Sequence, residues 1–150
     1  MKLNKISLNL CSSFGIGTIT RFPGTLASFL TLIPVWYIKE YLGFNYLILV
    51  IIIYGLISFF CIKNVIENQE DKDPNFIIAD EHLGQAISLL FCEQRILDYF
   101  LAFLLFRFFD ILKPFPISYF DNIKNSSGVL LDDIVAGFLV CLIFLVFYAI

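Results

Sequence analysis

The distribution of apolar residues along the chain predicts helices that lie in a membrane. Two stretches, residues 46–62 and 134–150, each run for about 17 residues without a charged side chain. This length is close to the minimum for a helix that crosses a bilayer. We therefore predict that both stretches are membrane-spanning helices.

A third apolar stretch, residues 26–42, contains Pro34 and is followed by Gly43. A proline inside a helix removes a backbone hydrogen bond and bends the helix, and helices in a membrane tolerate this better than soluble ones. The pattern predicts a third helix with a kink at Pro34.

The middle of the chain alternates apolar runs with charged residues. Residues 79–92 and 96–112 are apolar stretches separated by the polar turn at residues 93–95. We predict a helical hairpin whose charged residues are shielded by protein, since a charge facing lipid is costly. The charged or titratable residues of the two stretches are Asp80, Glu81, His82, Asp98, Arg107 and Asp110.

The composition supports a small membrane protein. Of the 150 residues, 59% are hydrophobic and 15% are charged. A chain of this length is one domain, residues 1–150. The net charge of −3, without a basic cluster, excludes the electrostatic pattern of a nucleic-acid-binding protein. We expect an all-α, small polytopic helical bundle with the membrane as its partner, and no protein partner can be inferred.

The amino end and the cysteines add little chemistry. Residues 1–13 start with basic residues, but Ser7 and Asn9 interrupt the short apolar stretch. Such a stretch is a poor signal-peptide core, so we expect it to be retained. The four cysteines are far apart and form no CxxC pair. Buried, unpaired, apolar side chains are the expected role for them.

The positive-inside bias predicts an orientation for the bundle. The loop of residues 63–73 contains Lys63 and Lys72, whereas the turn at residues 43–45 has no basic residue, so the loop is predicted to be cytoplasmic. Lys39 and Arg95 oppose this assignment. Counting helices then brings four polar segments to the cytoplasmic face: residues 21–25, 80–81, 107–116 and 132–133. Such convergence of ionisable groups at a membrane predicts a functional site.

Arg107, Asp110 and Lys113 are spaced three residues apart. On a helix they cover an arc of about 120°, so all three can face one site, and Pro114 then ends the helix. A carboxylate between two basic groups suits a site that holds both a metal ion and a phosphate. The alternative is an ion pair between Arg107 and Asp110 that simply neutralises itself.

Two acidic pairs, Asp80-Glu81 and Asp132-Asp133, stand before apolar stretches. Neighbouring residues on a helix point about 100° apart, so we expect one member of each pair to face the site while the other turns outward, bridges or caps. Several carboxylates without a His or Cys cluster favour Mg²⁺ over Zn²⁺. For His82, beside the first pair, we expect a supporting or structural role.

The stretch RFPGT, residues 21–25, precedes the third apolar run. Thr25 is placed to act as the N-cap of a helix that begins at Leu26, with Pro23 and Gly24 in the turn before it. The amides of a helix start, together with the charge of Arg21, also attract an anion such as phosphate. Both interpretations can hold together.

Four motifs in order carry a family resemblance: G-x-G-x(5)-PGT-x-x-S at residues 15–28, ADE-x-x-G at 79–84, FR-x-x-D-x-x-KP-x-P at 106–116 and DD-x-x-AG at 132–137. Together they cover nearly the whole chain and resemble the phosphatidylglycerophosphatase A family. The resemblance implies an all-helical, Mg²⁺-dependent phosphatase. It would act at the cytoplasmic face of the bacterial inner membrane and convert phosphatidylglycerophosphate to phosphatidylglycerol.

The resemblance also implies roles for individual residues. Residues 77–79 and His82 depart from the residues common in the family, but they remove no charge. The implied metal ligands are Asp80, Glu81, Asp110, Asp132 and Asp133. The implied phosphate-binding residues are Arg21, Thr25, Arg107 and Lys113, and the implied catalytic residues are Asp80, Glu81, Asp110, Arg107 and Lys113.

The expected mechanism is in-line attack of a water molecule on the phosphate, assisted by one or two Mg²⁺ ions, with Asp80, Glu81 or Asp110 as the base. No Cys-x5-Arg or DxDxT motif supports a covalent route, and the signature of an alcohol phosphotransferase is absent. The alternative function is a small transporter or channel subunit with an ion path. The two longest apolar stretches carry no charged residue to line one.

Overall fold

The computed structural model describes residues 5–67, 69 and 74–149, and this part of the chain is all-helical, as predicted. The helices in chain order are α1 (Lys5–Cys11), α2 (Ile16–Ile19), α3 (Pro23–Tyr41), α4 (Phe44–Ile66), α5 (Ala79–Ser88), α6 (Ile96–Leu112), α7 (Ile117–Asp121) and α8 (Ser126–Ala149). The predictions that involve Lys2, Lys72 and Ile150 lie outside the described residues.

Two of the described helices, α4 and α8, are long and apolar enough to cross a membrane. They contain the predicted spans but are longer, and α8 begins well before residue 134. The reason is a cap: Oδ1 of Asn125 accepts hydrogen bonds from the N–H groups of Ser127 (2.9 Å) and Gly128 (3.0 Å). Asp132 and Asp133 therefore lie within α8, and the prediction that they precede the helix is wrong.

Helix α3 continues through Pro34 as one helix. It begins at Pro23, a residue suited to the first turn because its missing N–H would have no partner there. Thr25 therefore lies in the first turn, and the prediction that it is the N-cap is wrong. Phe22 holds that position and makes no side-chain cap. Helix α3 is not among the described helices that are long and apolar enough to cross a membrane, which are α4 and α8.

The predicted hairpin is present, but its first arm is short. Helix α5 ends at Ser88, so its ten residues rise about 15 Å, half the thickness of a bilayer core. The prediction of one apolar helical stretch over residues 79–92 is wrong beyond that point. Leu89 and Cys92 are buried in non-helical backbone, which is tolerated at membrane depth only where protein surrounds it.

Lys39 satisfies the backbone that follows α5. Its Nζ donates hydrogen bonds to the carbonyl oxygens of Leu89 (3.0 Å), Leu90 (3.3 Å) and Cys92 (2.5 Å). The last carbonyl groups of a helix have no partner within the helix, and a lysine near them is favourable. This contact explains why Lys39 opposes the positive-inside pattern: its charge is used inside the protein.

Helix α5 lies between two apolar clusters of the core. One cluster surrounds Phe106 and Val140, and the other surrounds Ile62 and Leu83. The cysteines Cys11, Cys61, Cys92 and Cys141 are unpaired and buried, as predicted. Packing on both sides holds the short helix in place, although its own length would make it a marginal helix in isolation.

Candidate active site

A polar cavity of about 540 Å³ opens where α3 and α5 begin and α6 ends. It lies beside the second turn of α8, so the four polar segments predicted to converge do meet. All nine predicted site residues line it: Arg21, Thr25, Asp80, Glu81, Arg107, Asp110, Lys113, Asp132 and Asp133. Helix starts and ends from distant parts of the chain thus share one pocket.

Three carboxylates form a cluster at the base of the cavity. Asp80, Glu81 and Asp133 each offer an oxygen, and these oxygens lie within 4.8 Å of one another. Glu81 Oε2 and Asp133 Oδ1 are buried without a hydrogen-bond partner among the described residues. Buried carboxylate oxygens need a partner, and an all-oxygen cluster of this size fits a hard divalent cation.

Both members of each acidic pair line the cavity. Of the predicted alternatives for the second member of each pair, the outward orientation is therefore wrong for Asp80-Glu81 and for Asp132-Asp133. Two residues about 100° apart on a helix can both reach a wall as broad as this cavity. Asp80, Asp132 and Asp133 are all buried.

Close packing of α5 on α8 sets the spacing of the cluster. A Cβ at Gly84 would lie 2.6 Å from the carbonyl oxygen of Asp133, and a Cβ at Gly137 would overlap the carbonyl oxygen of Gly84. Glycine at both positions lets the two backbones touch, as small residues do at helix contacts in membranes. This contact brings Asp80 and Glu81, at the start of α5, beside Asp133.

The electrostatics of the cavity favour a bound cation. Burial raises the pKa of Asp80 well above its usual range, and the nearby charges of Glu81 and Asp133 raise it further. Burial raises the pKa of Glu81 as well. Among the described residues, five acidic and three basic side chains line the cavity, which gives them a formal charge of −2. One divalent cation would balance that charge.

Arg107 and Asp110 form an ion pair inside the cavity, with 2.5 Å between Arg107 Nη1 and Asp110 Oδ2. Nη1 also lies 3.5 Å from Ser28 Oγ, whereas Nε is buried without a partner among the described residues. The two interpretations of this spacing are therefore compatible. The pair neutralises itself, and it also lines the site.

Lys113 reaches the cavity by a route that the helical spacing did not predict. Helix α6 ends at Leu112, and Lys113 follows in the left-handed conformation with φ of 44°. The predicted arc of three residues on one helix is therefore wrong for Lys113. Its Nζ contacts carboxylate oxygens of Asp121 and of Asp132, the latter at 2.8 Å. Burial disfavours its charge, but these two hydrogen bonds outweigh burial and raise the pKa of Lys113.

The start of α3 forms the wall opposite the carboxylates. A Cβ at Gly24 would overlap Glu81 Oε1 and would lie 3.2 Å from Arg107 Nη1, so only glycine leaves room there. Arg21 and Thr25 line the cavity beside it, and the Arg21 side chain is exposed. An exposed guanidinium next to the first amides of a helix suits an anion that enters from the water.

Sequence reasoning missed three polar residues near the cavity. Thr20 and Asn75 line it, and Thr20 Oγ1 is buried without a partner among the described residues. Asp121 binds Lys113 from α7. Thr20 directly precedes the predicted segment 21–25, and Asn75 lies four residues before the motif at 79–84, so extending these segments by a few residues would have included both. Asp121 has no such signal in the sequence.

His82 faces away from the carboxylates. Its ring nitrogens contact Ser13 Oγ at 2.9 Å and Thr31 Oγ1 at 2.6 Å. These contacts tie the start of α5 to α3 and to the turn after α1. A structural role for His82, as expected from the sequence, agrees with this geometry.

Comparison with known proteins places the chain in a family. The family model for phosphatidylglycerophosphatase A matches residues 9–148. The chain belongs to the phosphatidylglycerophosphatase A family. Phosphatidylglycerophosphatase A of Escherichia coli K12 is 33% identical over 130 residues, which cover 85% of this chain and 75% of that protein. The protein of the same name from Haemophilus influenzae is 35% identical over 137 residues, covering 90% and 83%.

A third relative carries a different substrate in its name. A Bacteroides thetaiotaomicron protein named as a candidate phosphatidylinositol-3-phosphatase is 28% identical over 132 residues, covering 84% of this chain and 83% of that protein. No solved structure matches the chain. As a member of the family the chain is a phosphatase, and its apolar helices and bacterial relatives mark it as a membrane-associated bacterial protein.

Proposed function

We propose that the chain hydrolyses the terminal phosphate of phosphatidylglycerophosphate to give phosphatidylglycerol and inorganic phosphate. The observation that carries this proposal is the carboxylate cluster of Asp80, Glu81 and Asp133 beside the Arg107–Asp110 pair, in one cavity of a chain that belongs to this family. We further propose that the chain crosses the bacterial inner membrane several times, with the cavity on the cytoplasmic side.

Asp80, Glu81 and Asp133 would hold Mg²⁺. The fit rests on their all-oxygen donor set, on the unpartnered Glu81 Oε2 and Asp133 Oδ1, and on the formal charge of the cavity. When bound, the ion supplies positive charge that offsets the phosphate dianion. The sequence also predicted Asp110 and Asp132 as metal ligands, and in the structure these two carboxylates are paired with Arg107 and Lys113.

The basic residues would bind and orient the phosphate. Arg21, exposed at the mouth, meets the incoming headgroup, and Arg107 holds the phosphoryl oxygens through its planar guanidinium. Thr25 lies in the first turn of α3, where backbone amides favour an anion. Lys113 is held between Asp121 and Asp132 and acts mainly by neutralising these carboxylates.

The hydrolysis itself forms a bond from a water oxygen to phosphorus and breaks the bond from phosphorus to the glycerol oxygen. Asp110 accepts the proton that the water loses, since its carboxylate lines the cavity and lies outside the cluster of three ligands. The leaving glycerol oxygen takes up the proton from Asp110, which returns Asp110 to its carboxylate form, and becomes the hydroxyl group of phosphatidylglycerol. Charge on the phosphoryl oxygens is stabilised by Arg21 and Arg107.

Phosphate release by the purified protein in detergent tests the proposal. We expect release from phosphatidylglycerophosphate that stops on chelation, returns with Mg²⁺ and falls at least about a hundredfold in Asp110→Asn. Glu67→Gln, an exposed acid on the surface, is the matched control and should behave as the wild type. Release that survives both chelation and Asp110→Asn would refute the mechanism. Phosphatidylinositol 3-phosphate, assayed in parallel, tests the substrate suggested by the third relative.

A further inference from the structure

A groove with only apolar lining runs along the surface between α6 and α8. It has a volume of about 670 Å³, and every residue that lines it is apolar. Phe109, Pro114 and Phe115 line it at the end of α6, and Leu139, Leu142 and Val146 line it along α8. We call this feature the α6–α8 groove.

The α6–α8 groove begins where the polar cavity ends. Lys113 lines the cavity and the next residue, Pro114, lines the groove, while Asp110 lines the cavity and its neighbour Phe109 lines the groove. From there the groove follows α8 from Leu139 to Val146, a rise of about 10 Å along an apolar helix. The end of α6 therefore carries residues of the polar cavity and residues of the apolar groove side by side, and the groove extends from there along a predicted span.

Two other apolar cavities of the described residues lack this arrangement. The cavity between α3 and α6 contains Glu40 and lies at the ends of these helices opposite to Asp110. The cavity between α3, α4 and α5 contains His82 and Ser13, whose hydrogen bond crosses its polar edge. The α6–α8 groove combines a wholly apolar lining with contact to the catalytic end of α6.

We propose that the α6–α8 groove binds one acyl chain of the lipid substrate while its phosphate occupies the polar cavity. The proposal rests on the proposed function, because it takes the substrate to be a phospholipid with a terminal phosphate. A molecule with a charged head and an apolar tail matches a charged cavity and an apolar groove that meet at neighbouring residues of α6. Other occupants, such as a second copy of the chain, are outcomes of the test below.

The groove would act by orienting the substrate. An acyl chain that leaves the surrounding lipid gains little from the hydrophobic effect, because lipid tails are as apolar as the groove. The benefit lies in fixing the phosphate relative to Arg107 and Asp110, and small errors in such positioning reduce rates strongly. Filling the groove should therefore lower kcat/KM for acylated substrate without changing chemistry on the headgroup alone.

The test compares two substrates on variants that fill the groove. Leu142→Trp and Val146→Trp each place a large side chain in the groove, whereas Leu145→Trp enlarges an exposed residue of the same helix outside it. The substrates are long-chain phosphatidylglycerophosphate in mixed micelles and its deacylated, water-soluble form. We expect both groove variants to lower kcat/KM about tenfold for the lipid and to leave the deacylated substrate unchanged. Leu145→Trp should match the wild type on both.

Each contrary result has a defined meaning. Equal losses on both substrates, or no loss on the lipid, would overturn the groove proposal while leaving the proposed function intact. A change in the mass of the detergent-solubilised particle in the groove variants would overturn it in favour of an interface between copies. No release by the wild type from either substrate would refute the proposed function, and the groove proposal with it.

Discussion

Individual residues in the cavity are fixed by contacts with groups from distant segments. Gly24 faces Glu81 and Arg107 although they lie 57 and 83 positions further along the chain. Lys113 bridges Asp121 and Asp132, which lie on different helices. The neighbouring side chains therefore determine which substitutions each of these residues tolerates.

Gly24→Ala tests the close approach of α3 to the carboxylates. The added methyl group would overlap Glu81 Oε1 and lie 3.2 Å from Arg107 Nη1, so the Glu81 carboxylate must shift from its position in the cluster. We expect kcat/KM for phosphate release to fall at least about tenfold, because misplacement of site groups reduces rates strongly. Gly55→Ala is the control, since a Cβ there meets Leu83 at 3.4 Å, an ordinary contact. Equal activity of Gly24→Ala and wild type would refute the described geometry.

Lys113→Met tests the role assigned to the Lys113 ammonium. The change leaves Asp132, which is buried, and Asp121 without their basic partner. An uncompensated buried charge is destabilising, so we expect the free energy of unfolding to fall by about 1–3 kcal/mol. The measurement is the thermal unfolding midpoint in detergent. Lys124→Met, which alters an exposed lysine, should leave the midpoint unchanged.

The elements differ in how far their own sequences determine them. The spans α4 and α8 are long apolar helices, and the sequence predicted both. Helix α5 is short and ends inside the bundle, and the carbonyl groups of the turn that follows it receive hydrogen bonds from another helix. Lys39, on α3, supplies the missing donors. The position of Asp80 and Glu81 at the other end of α5 depends on this support.

Lys39→Met tests this dependence at the level of the element. Methionine keeps the apolar stem of the side chain but removes all three hydrogen bonds to Leu89, Leu90 and Cys92. Leu89 O keeps the backbone N–H of Cys92 as a donor, but the loss of these hydrogen bonds in a largely buried turn is costly, so we expect a loss of about 1–3 kcal/mol in the free energy of unfolding. Lys39→Arg should retain most of the stability, and Lys63→Met, at an exposed pair, should have no effect. A normal unfolding midpoint for Lys39→Met would show that the cap is dispensable.

The whole molecule gathers charge at one end of an apolar bundle. Two of the described helices are long and apolar enough to cross a membrane, while five carboxylates and three basic groups of the described residues share a cavity, with a formal charge of −2. Such a concentration of buried charge opposes folding unless a cation balances it. The stability of the fold and the proposed use of Mg²⁺ are therefore linked.

Metal binding should stabilise the whole protein. A ligand that binds the folded state at a hundred times its Kd adds about 2.7 kcal/mol to the free energy of unfolding. We expect the thermal midpoint in detergent to rise when Mg²⁺ replaces a chelator, with NaCl at matched ionic strength as the control. The rise should shrink in Asp133→Asn, which removes one charge from the cluster. An equal rise in both proteins would place the ion elsewhere.

The sequence alone determined the elements whose signals are local. Uninterrupted apolar runs predicted α4 and α8. Charged residues in the four motifs predicted residues that line the cavity, including Arg21, Glu81 and Asp110. These signals reside in consecutive residues, so they can be read without knowledge of the fold. The resemblance to a family then gave the nature of the chemistry.

Only the tertiary structure decided where elements end and which charges pair. The stop of α5 at Ser88, the left-handed turn at Lys113 and the partnership of Lys113 with Asp121 depend on contacts between segments far apart in the chain. Burial and pairing are properties of the packed bundle, since an isolated segment exposes its charges to water. For that reason Asp133 could be predicted as a site residue, but its grouping with Asp80 and Glu81 required the structure.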